Sequence, residues 1–183
     1  MIEDFHHPLE PFHVPNWVFL VLAWVIVAGT IAFTWLAYPA LPNPIPTHFN
    51  LAGTPDDFSP KGFWVVFFPV LIQIVLTAGL SIVYRYPKYS NIPTSMFVEL
   101  LKPEARQKVY WVIQHMMAVL IVVMNGLFAY LQIAIVQTSL GDVHGLNGWI
   151  MGGFMALIFL VTIVYSVAAT KYAHRLITEH RTT

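Results

Sequence analysis

Four long apolar runs alternate with short polar stretches along this chain, at roughly 17–37, 63–84, 111–137 and 148–170. Each is about 20 residues or more, the length an α-helix needs to cross a bilayer. The first run carries no charge, and the second sits between Lys61 and Arg85. The third lies inside the uncharged interval from Lys108 to Asp142, and the fourth ends at Lys171. The pattern predicts an all-α integral membrane protein: one membrane domain over residues 1–183, built as a bundle of four transmembrane helices. Residues 38–62 then form a Pro-rich ordered loop between spans one and two, and residues 85–108 form a second loop between spans two and three.

Composition supports lipid as the main solvent. Apolar residues make up 57% of the chain and charged residues 10%, with a mean hydropathy of +0.67. A soluble domain carries about 25% charged residues to cover its surface, and this chain lacks them. Net charge is zero and no basic tract is present, so nucleic acid is not an expected partner. Cysteine is absent, which excludes a disulfide framework, a thiolate nucleophile and a Cys-based metal site. The opening MIEDFHHPLEPFHVPNW has no basic n-region and does not read as a cleaved signal peptide. Its His6, His7 and His13 read as part of an interfacial tail.

Basic residues give the direction, because cytoplasmic loops retain Lys and Arg. Arg85, Lys88, Lys102, Arg106 and Lys108 fall between spans two and three, and Lys171, Arg175 and Arg181 follow span four. Only Lys61 lies elsewhere. Both termini are therefore expected in the cytoplasm of a cell-membrane protein. The 38–62 loop and the short TSLGDVHGLN loop then face outward. Trp17, Trp64, Trp111 and Trp149 stand near span starts, where amphipathic rings favour the interface. Trp24 and Trp35 are more internal and read as packing residues. In the 85–108 loop, NIPTSMFVELL reads as a short interfacial helix and KPEARQK as a proline-initiated start to span three.

Polar residues inside the spans matter because lipid offers them no partner. Span three carries Gln114, His115, Asn125, Gln132 and Gln137. Gln114, Asn125 and Gln132 return to nearly the same helical face. That stripe is expected to point into the bundle, with Gln73 of span two as a partner. Two readings stand: amides that knit helices together, or a polar path for an ion or small solute. No Asp, Glu, Lys or Arg lies inside a span, which argues against a proton-driven pump. Pro69 removes a backbone donor and is expected to kink span two. Gly148, Gly152 and Ala156, widened by Gly153, offer a smooth strip for close helix packing.

The loop reads YPALPNPIPTHFNLAGTPDDFSPKG, with six prolines. Prolines 39, 42, 44 and 46 fix φ and push their predecessors towards extended geometry, so a stiff extended strut is expected there. AGTPDD is a turn signal. These residues resemble a family. LPNPIPTHFNLAGTPDDFSPKG, followed by an apolar run with FFPV, is similar to the short membrane domain of unknown function that opens SdpI-type bacterial immunity proteins. The pattern is LP-x-x-IP-x-HFN-x-x-G-x-PD, then Lys, then a span with proline. The matching residues are Leu41, Pro42, Ile45, Pro46, His48, Phe49, Asn50, Gly53, Pro55, Asp56, Lys61 and Pro69. The likeness covers about residues 36–76 and implies a multi-span membrane protein. The best-described role in that family is protection from a secreted toxin, sometimes with signalling to a membrane-held repressor. The second-half motif of the immunity proteins is not found here.

The two outer loops collect His48, Asn50, Asp56, Asp57, Lys61, Asp142 and His144. His48, Asn50, Asp56, Asp57 and Lys61 are candidate ligand-binding residues, with Lys61 also a partner for an Asp. Imidazole plus carboxylate suits a divalent metal, so His48, His144 and Asp56 are a candidate metal set. No helix-borne metal motif, catalytic Ser/His/Asp arrangement or phosphate-binding loop appears, and no cofactor is expected. The leading expectation is non-enzymatic: recognition of a peptide, lipid or protein partner through the outer loop, in immunity or sensing. The alternatives are an accessory subunit of a larger membrane complex and a membrane metallohydrolase using His48, His144 and an Asp.

Overall fold

The computed structural model describes residues 16–86, 98 and 101–181. The expected tail histidines and most of the expected 91–101 helix lie outside them. Among the described residues, four helices are long and apolar enough to cross a membrane. They are α1 (Asn16–Ala37), α2 (Phe63–Arg85), α3 (Pro103–Leu140) and α4 (Gly148–Arg181). A 3₁₀ turn (Tyr38–Ala40) and a two-stranded antiparallel hairpin, β1 (Ile45–Phe49) and β2 (Pro55–Ser59), fill the space between α1 and α2.

The Pro-rich segment is therefore not one straight strut. Pro39 opens the 3₁₀ turn, where its fixed φ fits and its missing N–H is not needed. The Asn43–Pro44 peptide is cis; Leu41 is already extended, and the paired strand begins at Ile45. The strands pair Ile45 with Ser59 and Phe49 with Pro55, with irregular register around His48.

α3 is the hub. α1, α2 and α4 each pack along it, and α1 also packs on α2. Two buried clusters mark the ends. At the hairpin end, Leu41, Ile45, Val66, Phe67, Val70 and Val136 pack together, so the base of β1 is anchored in the bundle. At the opposite, basic end, Val98, Leu101, Ala105, Val109, Ile113 and Met116 close on Ala173 and Leu176.

Helix lengths differ with consequence. α1 and α2 have 22 and 23 residues, about 35 Å at 1.5 Å per residue, close to the bilayer core of about 30 Å. α3 and α4 have 38 and 34 residues, more than 50 Å by the same rise. The start of α1 and the end of α2 reach α3 at His115 and Gln114. The first turns of α3 and the last of α4 thus run on past them as a two-helix stem.

The strip on α4 does not pack as expected. Gly148, Gly152, Gly153 and Ala156 are exposed, and a Cβ on any of the three glycines would meet nothing within 4 Å. α4 instead reaches α3 through Phe154, which lies against Gly126 and Tyr130. Trp24 also lies largely on the outside, and Trp35, though mostly exposed, packs the edge of its ring against Phe67 at 6.2 Å between centroids. With lipid as solvent, no hydrophobic force turns such side chains inward.

Candidate functional site

The hairpin end is built by polar groups that tie the loop to the helices. Lys61 is expected beside an Asp, but its Nζ donates to the carbonyls of Leu41 at 2.7 Å and Pro39 at 3.3 Å. It also lies 5.0 Å from the centre of the Tyr38 ring. The turn after α1 leaves these carbonyls without helical donors, so one ammonium there joins the end of α1 to the start of α2. Asn43 adds a second tie, its Oδ1 accepting from the Lys61 N–H at 2.9 Å.

Asn50 makes the hairpin turn. Its side-chain oxygen accepts from the Ala52 and Thr54 N–H groups at 2.9 and 3.1 Å, and its backbone pairs with Thr54 and Gly53. This is the local side-chain-to-backbone bonding that favours Asn in turns. The turn leads to Gly53, at φ 81°, whose carbonyl accepts from the Leu146 N–H at 2.8 Å. A Cβ at Gly53 would stand 2.0 Å from the Leu146 carbonyl oxygen, and one at Gly145 would stand 2.1 Å from the Gly53 carbonyl oxygen. The two loops meet backbone to backbone, and only glycine allows it at either position.

Beside this contact lies a cleft of about 430 Å³, between the hairpin turn, the end of α3 and the 141–147 loop. Thr54, Tyr130, Gln137, His144 and Asn147 bring polar groups to its wall, and Ala134, Val143 and Ile150 bring apolar ones. The Tyr130 hydroxyl accepts from the Asn147 N–H at 2.7 Å. Asn147 also caps α4, its Oδ1 accepting from the Trp149 and Ile150 N–H groups. The volume is that of a small-molecule site, roughly 300–1,000 Å³.

None of His48, Asn50, Asp56, Asp57 and Lys61 lines this cleft. His48 and Asp56 pair with each other, Nδ1 to Oδ1, on the exposed face of the hairpin. Asp57 accepts from the adjacent Phe58 N–H at 2.9 Å. His144 lines the cleft apart from that pair. Among the described residues no three His, Asp or Glu side chains gather to hold a metal ion. The set His48, His144 and Asp56 is not assembled, because the first and last share the hairpin face and His144 stands on the other loop. The cleft residues Thr54, Tyr130 and Asn147 escape sequence reading because they are common residue types. The signal for them is indirect: Gly53 and Gly145, one in each loop.

Within the membrane-spanning region, Gln73, Asn125, Gln132 and His115 face protein, whereas Gln137 at the hairpin end of α3 is exposed. Gln73, Asn125 and Gln132 are 1%, 2% and 0% exposed. Gln73 Nε2 donates to Asn125 Oδ1 at 3.0 Å, and the Thr77 hydroxyl lies 3.1 and 3.0 Å from the Asn125 side-chain oxygen and nitrogen. Asn125 Nδ2 also donates to the Ile121 carbonyl at 2.8 Å. Seven residues along, Gln132 Nε2 donates to the Val66 carbonyl at 3.2 Å, three residues before Pro69. Gln114 donates to the Tyr84 carbonyl at 3.1 Å. His115 Nδ1 bonds Asn16 Oδ1 at 2.6 Å, with its ring stacked between Trp111 and Tyr165. Asn16 lies one residue before the first apolar run, so only the structure reveals it as the partner of a residue 99 positions away. The narrow space beside Gln73 and Asn125 has no room for a water molecule. The layer is knitted together by amide hydrogen bonds.

Residues 25–74 match a family described as a domain of unknown function, DUF1648. The match runs from α1 through the hairpin into α2 and leaves α3 and α4 outside. The chain is also similar to an uncharacterized protein of Archaeoglobus fulgidus, 26% identical over 156 residues, covering 78% of each chain. No solved structure matches.

Proposed function

We propose that this multi-pass membrane protein is a recognition protein of the cell membrane. In this reading both ends of the chain lie in the cytoplasm, and the hairpin end binds a peptide or protein partner outside, in an immunity or sensing role. One observation carries the reading: the Gly53–Leu146 backbone contact, which holds two loops together around a preformed cleft. Two glycines used to join loops that no helix needs joined are better explained by a site than by the bundle. The basic residues at the opposite end support the orientation. The resemblance of the loop to that of immunity proteins supports the role.

The hairpin edges are poor templates for an added strand. Pro46 and Pro55 have no N–H, and the Phe58 N–H is taken by Asp57. Recognition therefore falls to the cleft walls rather than to strand addition. The test begins with orientation. The chain has no native cysteine, so Leu51→Cys is a unique label at the hairpin tip. Labelling by an impermeant maleimide in intact cells is expected, and labelling only after lysis would reverse the topology. Benzoyl-phenylalanine at Thr54 is then expected to give a discrete adduct. Gly53→Ala should abolish it, since left-handed backbone costs a residue with a Cβ about 1–2 kcal/mol even before the clash. An adduct unchanged in Gly53→Ala would remove the cleft from the account.

A second reading, an accessory subunit of a larger complex, has the bare Gly148, Gly152, Gly153 and Ala156 strip in its favour. Native mass in mild detergent separates the two.

A further inference from the structure

A second cavity of about 320 Å³ lies under the hairpin, on the membrane side of it. Pro46 of β1 forms part of its roof, and Val66, Pro69 of α2 and Ile135 of α3 form its wall. Trp64 and Phe68 also line it and are 74% and 59% exposed, so the cavity is continuous with the lipid-facing surface. Pro69 is the seventh residue of α2, about 9 Å along the helix at 1.5 Å per residue.

We propose that one acyl tail, from the lipid leaflet on the hairpin side, is held in this cavity as a bound ligand. The lining excludes the other occupants. It offers no charge, and the Thr47 hydroxyl at the roof is already 3.4 Å from that of Ser59. A water needs two to four polar partners, which these walls do not supply. A peptide would bring backbone N–H and C=O groups to a depth where nothing meets them. A hydrocarbon chain has no such groups and gains dispersion contacts with the half-buried Val65 and Ile135 that an empty cavity forfeits. The volume is near the lower end of the roughly 300–1,000 Å³ range of ligand sites, which suits one tail and not a whole diacyl lipid. The bound tail would also pack against β1 from below and so support the hairpin from the bilayer.

The test uses the full chain in nanodiscs with phosphatidylcholine bearing a mid-chain diazirine at low mole fraction. Photoadducts are mapped by mass spectrometry. Adducts at Val65 and Ile135, half-buried residues that both line the cavity, are expected to exceed severalfold those at Leu71 and Val75, which are 45% and 61% exposed. Ile135→Trp fills the cavity from α3 and Thr47→Trp fills it from the exposed side of β1. Either variant that retains the wild-type melting temperature should lose most of the Val65 adduct. Labelling that simply follows exposure, with Leu71 and Val75 at or above Val65, would reduce the tail to ordinary boundary lipid. Undiminished Val65 labelling in a folded variant would also overturn the proposal.

Discussion

α3 and α4 pass the same test for a membrane span yet occupy opposite positions. Both are long and apolar, and both continue into the stem at the basic end. α3 sits at the centre, with Asn125 and Gln132 fully enclosed, whereas no residue of the most apolar stretch of α4 is buried. The difference lies in a few side chains. Amides in hydrocarbon must find partners, so a helix that carries them is drawn between its neighbours. α4 carries no amide between Trp149 and Thr170, and lipid serves it as well as protein does. Hydropathy decides that a helix crosses; the placement of two amides decides which helix is crossed by the others.

Asn125→Leu should have the largest effect on that contrast. It removes the side-chain partner of Gln73 and of Thr77 together and leaves the buried Gln73 amide only the long 3.4 Å bond to the backbone carbonyl of residue 125. A loss of about 2–3 kcal/mol is expected in detergent unfolding, from several bonds of roughly 0.6–2 kcal/mol each. The double variant Gln73→Leu/Asn125→Leu should recover part of this, because it removes the weakly satisfied Gln73 amide as well. Strict additivity would mean that the pair is not coupled. Gln132→Leu should cost less, about 1 kcal/mol or below. It gives up the bond to the Val66 carbonyl, but it also removes a buried side-chain oxygen that has no partner.

The spans were legible because nothing but an apolar run of that length can cross a bilayer. The helix ends beyond them were less so: α4 continues through Lys171, His174 and Arg175, where hydropathy gives no sign of a helix. The inner stripe was legible in outline, since Asn125 and Gln132 share a face and Gln73 lies in the adjacent span. Asn16 was not, because a residue at a span boundary looks solvated until its partner is seen. At the hairpin end, the reactive side chains His48, Asp56 and Lys61 stand out in the sequence, but they bind one another or the loop backbone. The cleft is instead made by Gly53 and Gly145, whose importance lies in a side chain they lack. Tertiary approach of two loops leaves no local pattern in either.

Gly152→Leu on α4 is the smallest effect and the sharpest test of the contrast. A side chain there meets nothing within 4 Å in the single chain, so lipid should accommodate it. Stability is expected to stay within about 0.5 kcal/mol of wild type, as for surface positions free of special contacts. Photoadducts of the diazirine lipid along α4 should continue past the new leucine without a gap. A larger loss, accompanied by a fall in native mass in mild detergent, would mean that a second helix covers this face. α4 would then be as enclosed as α3, and the contrast between them would belong to the single chain and not to the protein in its membrane.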